Sequence, residues 1–310
     1  MRTVPEDLTD AAVADAVAAH WALTPIAIEH APVGFGSHHW ELTAADGGRR
    51  FVTADRVGDD DHRLTALVAA LHIAYGLRHR CGLDFVIAPM PGVDHQLLAR
   101  TDDYVIALYP FQQKVGTGVC DDDQLLSMIT ALHQISPALI GVTEEDDLEI
   151  VDRPVLESAF AGRKGSGPFA DLFADLIDRH RDAIEQSLMV HDRFRARLLS
   201  ERSGWVITHG EPKINNTMLT AAGPVLIDWD TVRVGPPARD VWMLSPKEYQ
   251  ARTGRRVPQD QLDHYRLTWD LDDLCSYASW FVGDHERNAD TELGWQGCQA
   301  IIDGLARRFG

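Results

Sequence analysis

The sequence predicts an α+β fold in two lobes: a small β-rich N-terminal lobe with one packed helix over residues 1–109, and a larger, mostly helical lobe over 110–310. Three observations predict it. Between residues 26 and 109 apolar residues alternate over short runs separated by turn signals. Beyond Pro110 apolar residues recur at helical spacing over long stretches. One segment of that second half, Trp205 to Trp229, breaks the helical pattern with two short apolar runs around a polar turn.

Thr9 to Trp21 reads as an amphipathic helix, with Leu8, Val13, Val17 and Trp21 near helical spacing. Ile26 to Pro32 is strand-like and leads into the turn Gly34-Phe35-Gly36-Ser37. His38 to Leu42 alternates as a second strand, Asp46-Gly47-Gly48 marks a hairpin turn, and Arg50 to Ala54 is a third strand. Asp59, Asp60 and Asp61 suit the positive N-terminus of a helix that Leu64 to Arg78 continues. Gln96 to Arg100 and Tyr104 to Tyr109 form a further hairpin, and Pro110 breaks its second strand. The lobes join near Tyr109 to Gln113. Helices follow over Asp122 to Ile135, Asp152 to Phe160, Phe169 to Glu201, Gln259 to Gly283 and Thr291 to Phe309.

With 47 acidic against 29 basic residues, the 310-residue chain has a net charge of −18. Such a surface repels nucleic acid and anionic membrane and attracts cations. Cys81, Cys120, Cys275 and Cys298 form no CxxC pair or metal-ligand spacing, so they read as reduced structural thiols. The N-terminal stretch carries acids where a signal peptide would carry bases. The longest largely apolar run, Leu64 to Leu77, is interrupted by His72 and is too short to span a bilayer. The expectation is a cytoplasmic protein whose partner is a small molecule, with no nucleic acid and no membrane.

The chemistry concentrates between Thr208 and Asp230. Thr208-His209-Gly210-Glu211-Pro212-Lys213-Ile214-Asn215-Asn216 follows an apolar strand, and Ile227-Asp228-Trp229-Asp230 follows another. A carboxylate that meets a substrate hydroxyl acts as base or orients it. An amide and a second carboxylate supply oxygen ligands for magnesium. Phosphoryl transfer needs these parts close together.

This order resembles the aminoglycoside phosphotransferase and choline kinase family, whose pattern is His-Gly-Asp, four residues, Asn, then Ile-Asp-Trp. Pro237-Ala238-Arg239-Asp240-Val241 is similar to the family's Arg-Asp-Leu element. The resemblance implies a protein-kinase-like two-lobed fold and a phosphotransferase with an alcohol group as acceptor. It implies ATP or GTP and Mg2+ as cofactors, and an antibiotic-like acceptor of the kind phosphorylated by spectinomycin and aminoglycoside phosphotransferases. Carried over by position, Glu211 is the catalytic acid/base, Asn216 and Asp228 bind magnesium, His209 and Asp240 brace the loop, and Lys213 meets the γ-phosphate. Asp230 is a second metal contact or a strand-end acid. In related phosphotransferases the C-terminal stretch lines the acceptor pocket. Asp270, Asp273 and Trp280 are its candidates here, suited to a polar or cationic molecule.

Two departures stand out. Glu211 replaces the family's aspartate, and the extra methylene moves the carboxylate by about 1.5 Å. Thr53 stands where the family's third strand carries a lysine, and no lysine precedes Lys114. The helix over Leu64 to Arg78 carries no acid, so the lysine's glutamate partner is missing as well. Arg56, Arg63, His38 and His39 are replacement candidates, and the backbone amides of Gly36 and Ser37, in the turn opened by Gly34, are a further phosphate grip. The alternative function is a catalytically degenerate kinase fold that binds a ligand or nucleotide without transfer.

Overall fold

The computed structural model describes residues 4–34, 36–58, 60–116, 118–142 and 144–310. Phe35 of the glycine turn and Asp59 of the expected helix opening lie outside them. The chain folds as two compact units, one of residues 1–145 with 205–254 and one of 146–204 with 255–310. The boundary expected at residue 109 falls inside the first unit.

The first unit begins with α1 (Asp10–Trp21), which Thr9 caps by accepting from the Ala12 amide. A five-stranded antiparallel sheet follows, built from β1 (Pro25–His30), β2 (His38–Ala44), β3 (Arg49–Arg56), β4 (Ala99–Thr101) and β5 (Tyr104–Pro110) in the order β1-β2-β3-β5-β4. Between β3 and β4 runs α2 (Asp61–His79), capped by Asp60. Pro110 does not end pairing early. It lies opposite Arg50 at the last position of the ladder, where a strand end needs no further N–H.

Strand alternation gives the sheet two chemically different faces. Trp40, Leu42, Val52, Ala54, Ile106 and Leu108 pack with Leu8, Val13, Val17 and Trp21 on the α1 side. Trp40 is fully buried and donates its indole N–H to Asp10 at 2.7 Å. Val105 and Ala107 turn the other way and pack with Leu67 and Leu71 of α2. Phe51, Thr53 and Asp55 share that second face, because Thr53 pairs with Ala107 and Asp55 with Val105.

The rest of the unit carries α3 (Asp122–Leu132), α4 (Pro137–Ile140), β6 (Val206–Thr208), a 3₁₀ turn (Ile214–Asn216), β7 (Thr217–Thr220), β8 (Gly223–Leu226), β9 (Arg233–Gly235), α8 (Ala238–Val241) and α9 (Pro246–Thr253). The two apolar runs of the expected catalytic hairpin do not pair with each other. β6 pairs with β9, and β7 with β8, both antiparallel. Two small ribbons therefore hold the loop from both sides.

The second unit is helical: α5 (Arg153–Phe160), α6 (Ala170–Arg179), α7 (Arg181–Ser200), α10 (Gln259–Val282) and α11 (Ala289–Phe309). Phe169, Phe173, Ile184, Leu271, Phe281 and Ile302 share its core. The single helix expected over Phe169 to Glu201 is two helices that meet at His180. No proline or glycine marks the break. Both helices bury apolar residues in the one core, Phe173 and Ile177 from α6 and Ile184 and Leu188 from α7, and tertiary packing sets the turn. Among the described residues no helix is long and apolar enough to cross a membrane.

Candidate active site

The loop after β6 is positioned through Asp240. This side chain is fully buried. Its Oδ2 accepts from the His209 amide at 2.9 Å and its Oδ1 from the Gly210 amide at 2.7 Å. Two consecutive amides reach one carboxylate because Gly210 sits at φ +102°. A side chain there would strike the Arg239 guanidinium and Thr231 Oγ1, both 2.6 Å from an ideal Cβ. Arg239 in turn donates to Thr208 Oγ1 and to the Thr231 carbonyl, each at 2.9 Å. Burial raises the Asp240 carboxyl, but the hydrogen bond and charge of His133, with His209 and Arg239, outweigh it and hold the pKa below the usual value.

The next residues are tied by His209, also fully buried. Its Nε2 lies 2.9 Å from the Ile227 carbonyl, and its Nδ1 accepts from the Glu211 amide at 3.2 Å. One ring thus fixes both the Glu211 backbone and the approach to Asp228. Burial lowers its pKa, which suits this neutral donor-and-acceptor role.

Glu211 is half-buried, and its Oε2 is 2.7 Å from Lys213 Nζ and 3.4 Å from Asn216 Nδ2. Asn216 also donates to the Glu211 carbonyl at 3.0 Å, so both of these bonds use its Nδ2 and its Oδ1 remains an acceptor. Asn215 is exposed, whereas Asn216 is buried. Asp228 adopts φ +71°, a left-handed conformation that aspartate tolerates better than most residues.

Four carboxylates act on one another here. Asp228 is pushed up, first by desolvation of its carboxylate and then by the charges of Glu211 and Asp55, with Lys213 opposing. Asp230 is pushed up to about 8 by desolvation and by Asp228, Asp55 and Glu211. Both residues keep exposed surface, so solvent moderates the burial and the charge repulsion alike. Such a cluster gains from a cation. Among the described residues no three His, Cys, Asp or Glu groups are arranged to hold a metal by themselves. Asn216 and Asp228 offer instead a two-ligand oxygen site of the kind magnesium completes with phosphates and water.

Sequence reading missed Asp55. It lies two residues after Thr53 on the same strand face, a period-two signal present in the sequence. Ser37 Oγ donates to Asp55 Oδ1 at 2.5 Å and ties the glycine turn to β3. Burial raises the Asp55 pKa, opposed by Ser37 and by the charge of Arg63. Tyr109, opposite Phe51, completes this side, and burial followed by Asp55, Asp230 and Asp228 keeps its phenol protonated. The turn needs its first glycine: Gly34 is at φ +72°, and a Cβ there would lie 2.8 Å from His39 Nε2. Gly36 is at φ +92° with open space at its Cβ position.

The replacement candidates separate by face. Arg56 lies on the α1 side, held by Asp7 and by Asp103 at 3.4 Å, with its guanidinium 5.4 Å from the Tyr104 ring centroid. His38 shares that side, with ring contacts to Trp40 and Tyr104. His39 is on the Asp55 side and stacks on Phe51, but burial holds its pKa to about 4, so it is uncharged near neutrality. Arg63 is the candidate whose charge reaches Asp55.

Asp270, Asp273 and Trp280 all belong to α10 in the second unit, each partly buried. Burial raises the Asp270 pKa. Trp280 packs over Gly294 of α11, where a Cβ would lie 2.8 Å from its ring.

Comparison with known proteins identifies the family and the fold. The sequence model of the phosphotransferase enzyme family matches residues 9–275. Protein StrN of Streptomyces griseus is 27% identical over 234 residues, covering 69% of this chain and 70% of that protein. The structure is similar to that of spectinomycin phosphotransferase APH(9)-Ia in complex with ADP and spectinomycin, with a TM-score of 0.67 and 13% identity over 97% of this chain and 98% of the other. It is also similar to amicoumacin kinase hAmiN in complex with AMP-PNP, Ca2+ and Ami, with a TM-score of 0.51 and 12% identity over 94% and 91%. At such identities the structural likeness carries the fold, and the kinase-like α+β architecture is shared. The family match spans most of the chain and contains the whole Thr208 to Asp230 segment, and the chain belongs to the phosphotransferase enzyme family, as a phosphotransferase with an alcohol group as acceptor.

Proposed function

We propose that this chain transfers the γ-phosphate of ATP or GTP to a hydroxyl of an antibiotic-like small molecule, with Mg2+ as the cation. The observation that carries the reading is the joint placement of Glu211, Lys213 and Asn216 around one carboxylate oxygen, with Asp228 acting electrostatically on the same group. The nucleotides and antibiotics named with the two similar structures support it.

When bound, the cation neutralises phosphate charge and brings the phosphates to a fixed place. The chain's own groups do the rest. Lys213 and Asn216 both engage Glu211 Oε2, which leaves Oε1 to accept a hydrogen bond from the acceptor hydroxyl and take its proton. Asn216 Oδ1 and Asp228 hold the cation, with Asp230 beside them. Lys213 exchanges Glu211 for the γ-phosphate, a contact that suits an ammonium point charge. The Gly36 and Ser37 amides and Arg63 meet the remaining phosphate charge, and Gly34 shapes their turn. Asp270, Asp273 and Trp280 serve a polar or cationic acceptor through ion pairing and cation–π contact.

The test incubates the protein with Mg2+, labelled ATP or GTP, and a panel of aminocyclitol, aminoglycoside, nucleoside and peptide antibiotics. Phosphorylated product that disappears with Asp228→Ala is the expected result. Nucleotide binding indifferent to Mg2+, with no product from any acceptor, establishes the degenerate binding protein instead.

A further inference from the structure

Asp240 has a third partner that the loop does not supply. His133 follows α3 and is 2% exposed, and its Nε2 lies 3.0 Å from Asp240 Oδ2. Its Nδ1 lies 2.9 Å from the hydroxyl of Tyr249, a fully buried residue of α9. Donor and acceptor roles follow from the chemistry. An ionised carboxylate only accepts, so Nε2 carries the proton shared with Asp240. Its Nδ1 and the Tyr249 hydroxyl share the ring's second hydrogen bond. Asp240 already accepts from the His209 and Gly210 amides, so a continuous chain of hydrogen bonds runs from α9 to the Glu211 loop. Arg252, one turn after Tyr249, donates to Ser127 Oγ at 2.7 Å and fastens α9 to α3 independently of the relay.

We infer that His133 and Tyr249 are positioning residues for phosphoryl transfer: Tyr249 holds the His133 ring in its orientation, and His133 fixes the rotamer of Asp240 that aims the Glu211 loop. The inference rests on the reading of Glu211 as the transfer group, so its test includes a readout that needs no turnover.

Three variants of the full chain separate the links. Tyr249→Phe removes only the hydroxyl, His133→Gln keeps an N–H at the Nε2 position, and His133→Leu removes both links. Backbone amide exchange over residues 207–213 is expected to quicken most in His133→Leu, less in Tyr249→Phe and least in His133→Gln. The kcat is expected to fall in the same order, about a hundredfold for His133→Leu, as a misplaced reacting group produces, and about fivefold for Tyr249→Phe, the equivalent of one ordinary hydrogen bond. Nucleotide KM stays within about twofold, because the interaction acts on the transition state alone. Parental exchange and kcat in Tyr249→Phe and His133→Leu overturn the relay. Exchange that quickens evenly through the first unit also overturns it, since that is the mark of a merely structural role. If His133→Leu does not fold, Tyr249→Phe and His133→Gln carry the comparison. The expected exchange order in a parent that phosphorylates no acceptor overturns the functional reading and leaves the relay standing.

Discussion

The loop after β6 and the Asp55 face of β3 lie in the same unit and are stabilised in opposite ways. In the loop, Asp240 and His209 are fully buried and hydrogen-bonded on both sides by the chain's own groups. On β3 the polar groups are half-buried, and Asp55 adds negative charge to a neighbourhood that already holds Asp228, Asp230 and Glu211. Positioning is therefore built into the chain, whereas charge balance is left to what binds. Thr53 sharpens the contrast. A lysine there would offset Asp55 from within; on the proposed reading its absence leaves more of the phosphate charge to the cation, Lys213 and Arg63.

The strongest way to break this comparison is to remove the proposed cation ligand. Asp228→Ala is expected to lower turnover about a thousandfold, since a metal contributes several kcal/mol to transition-state charge stabilisation. Glu211→Gln should lower it by about a hundred- to ten-thousandfold while nucleotide affinity changes little. Product formation and equilibrium nucleotide binding separate the two. A variant of Asp228 that keeps parental turnover would show that charge on this side is balanced some other way.

The loop half is tested by stability. Asp240→Ala leaves the His209 and Gly210 amides and His133 buried without their acceptor, a loss of about 3 kcal/mol on the scale of broken buried networks. Urea unfolding measures it, and Asp240→Asn, which keeps one acceptor oxygen, should lose less. The pH dependence has a definite sign. The folded pKa of Asp240 is depressed, so the stability it contributes is complete above the unfolded value of about 3.9 and is lost as pH falls through the lower folded value. Acid unfolding of Asp240→Asn should lack that component. An unchanged acid profile would show that the carboxylate is not ionised in the fold.

Much of this was legible in the sequence, for identifiable reasons. The sheet was readable because alternation has to place Val52 and Ala54 on one face and Thr53 and Asp55 on the other. The loop was readable as a motif, because His209, Glu211, Asn216 and Asp228 lie close in sequence. Asp240 was readable as its brace from the Arg239-Asp240 element, but His133 and Tyr249 were not, because they come from the end of α3 and from α9, which only the fold brings to Asp240. The break at His180 had no local signal. α9 did have one: Ser245 as cap, Pro246 in the first turn and Gly254 at the left-handed end, yet only about two turns of helix carried it. Arg56 was indistinguishable from Arg63 until the faces of β3 were known.

That last pair gives a smaller and sharper test. Arg63→Ala is expected to raise the nucleotide KM about tenfold, the effect of losing one charged hydrogen bond to phosphate. Arg56→Ala should change it less than twofold or so, because its partners Asp7 and Asp103 form an exposed ion-pair cluster of small energetic weight. Steady-state kinetics at saturating acceptor measure both. The reverse ranking would move the phosphate site to the α1 side of the sheet and dissolve the contrast between loop and strand.

The smallest effect is expected from restoring the missing cation. Thr53 is partly buried, pairs with His39 and Ala107, and hydrogen-bonds Tyr109. In Thr53→Lys the new ammonium finds Asp55 two residues along on the same face, and α2 supplies no glutamate to orient it toward phosphate. Asp55 should capture it as a partly exposed pair contributing at most about 1 kcal/mol, so nucleotide KM should shift less than about threefold. Pairing Thr53→Lys with Asp55→Ala frees the lysine and should then lower the KM further than either change alone. A tenfold fall from Thr53→Lys by itself would mean that this strand face still grips phosphates in the manner of its lysine-bearing relatives, with Asp55 turned aside, and that the cation carries no unusual share of the charge.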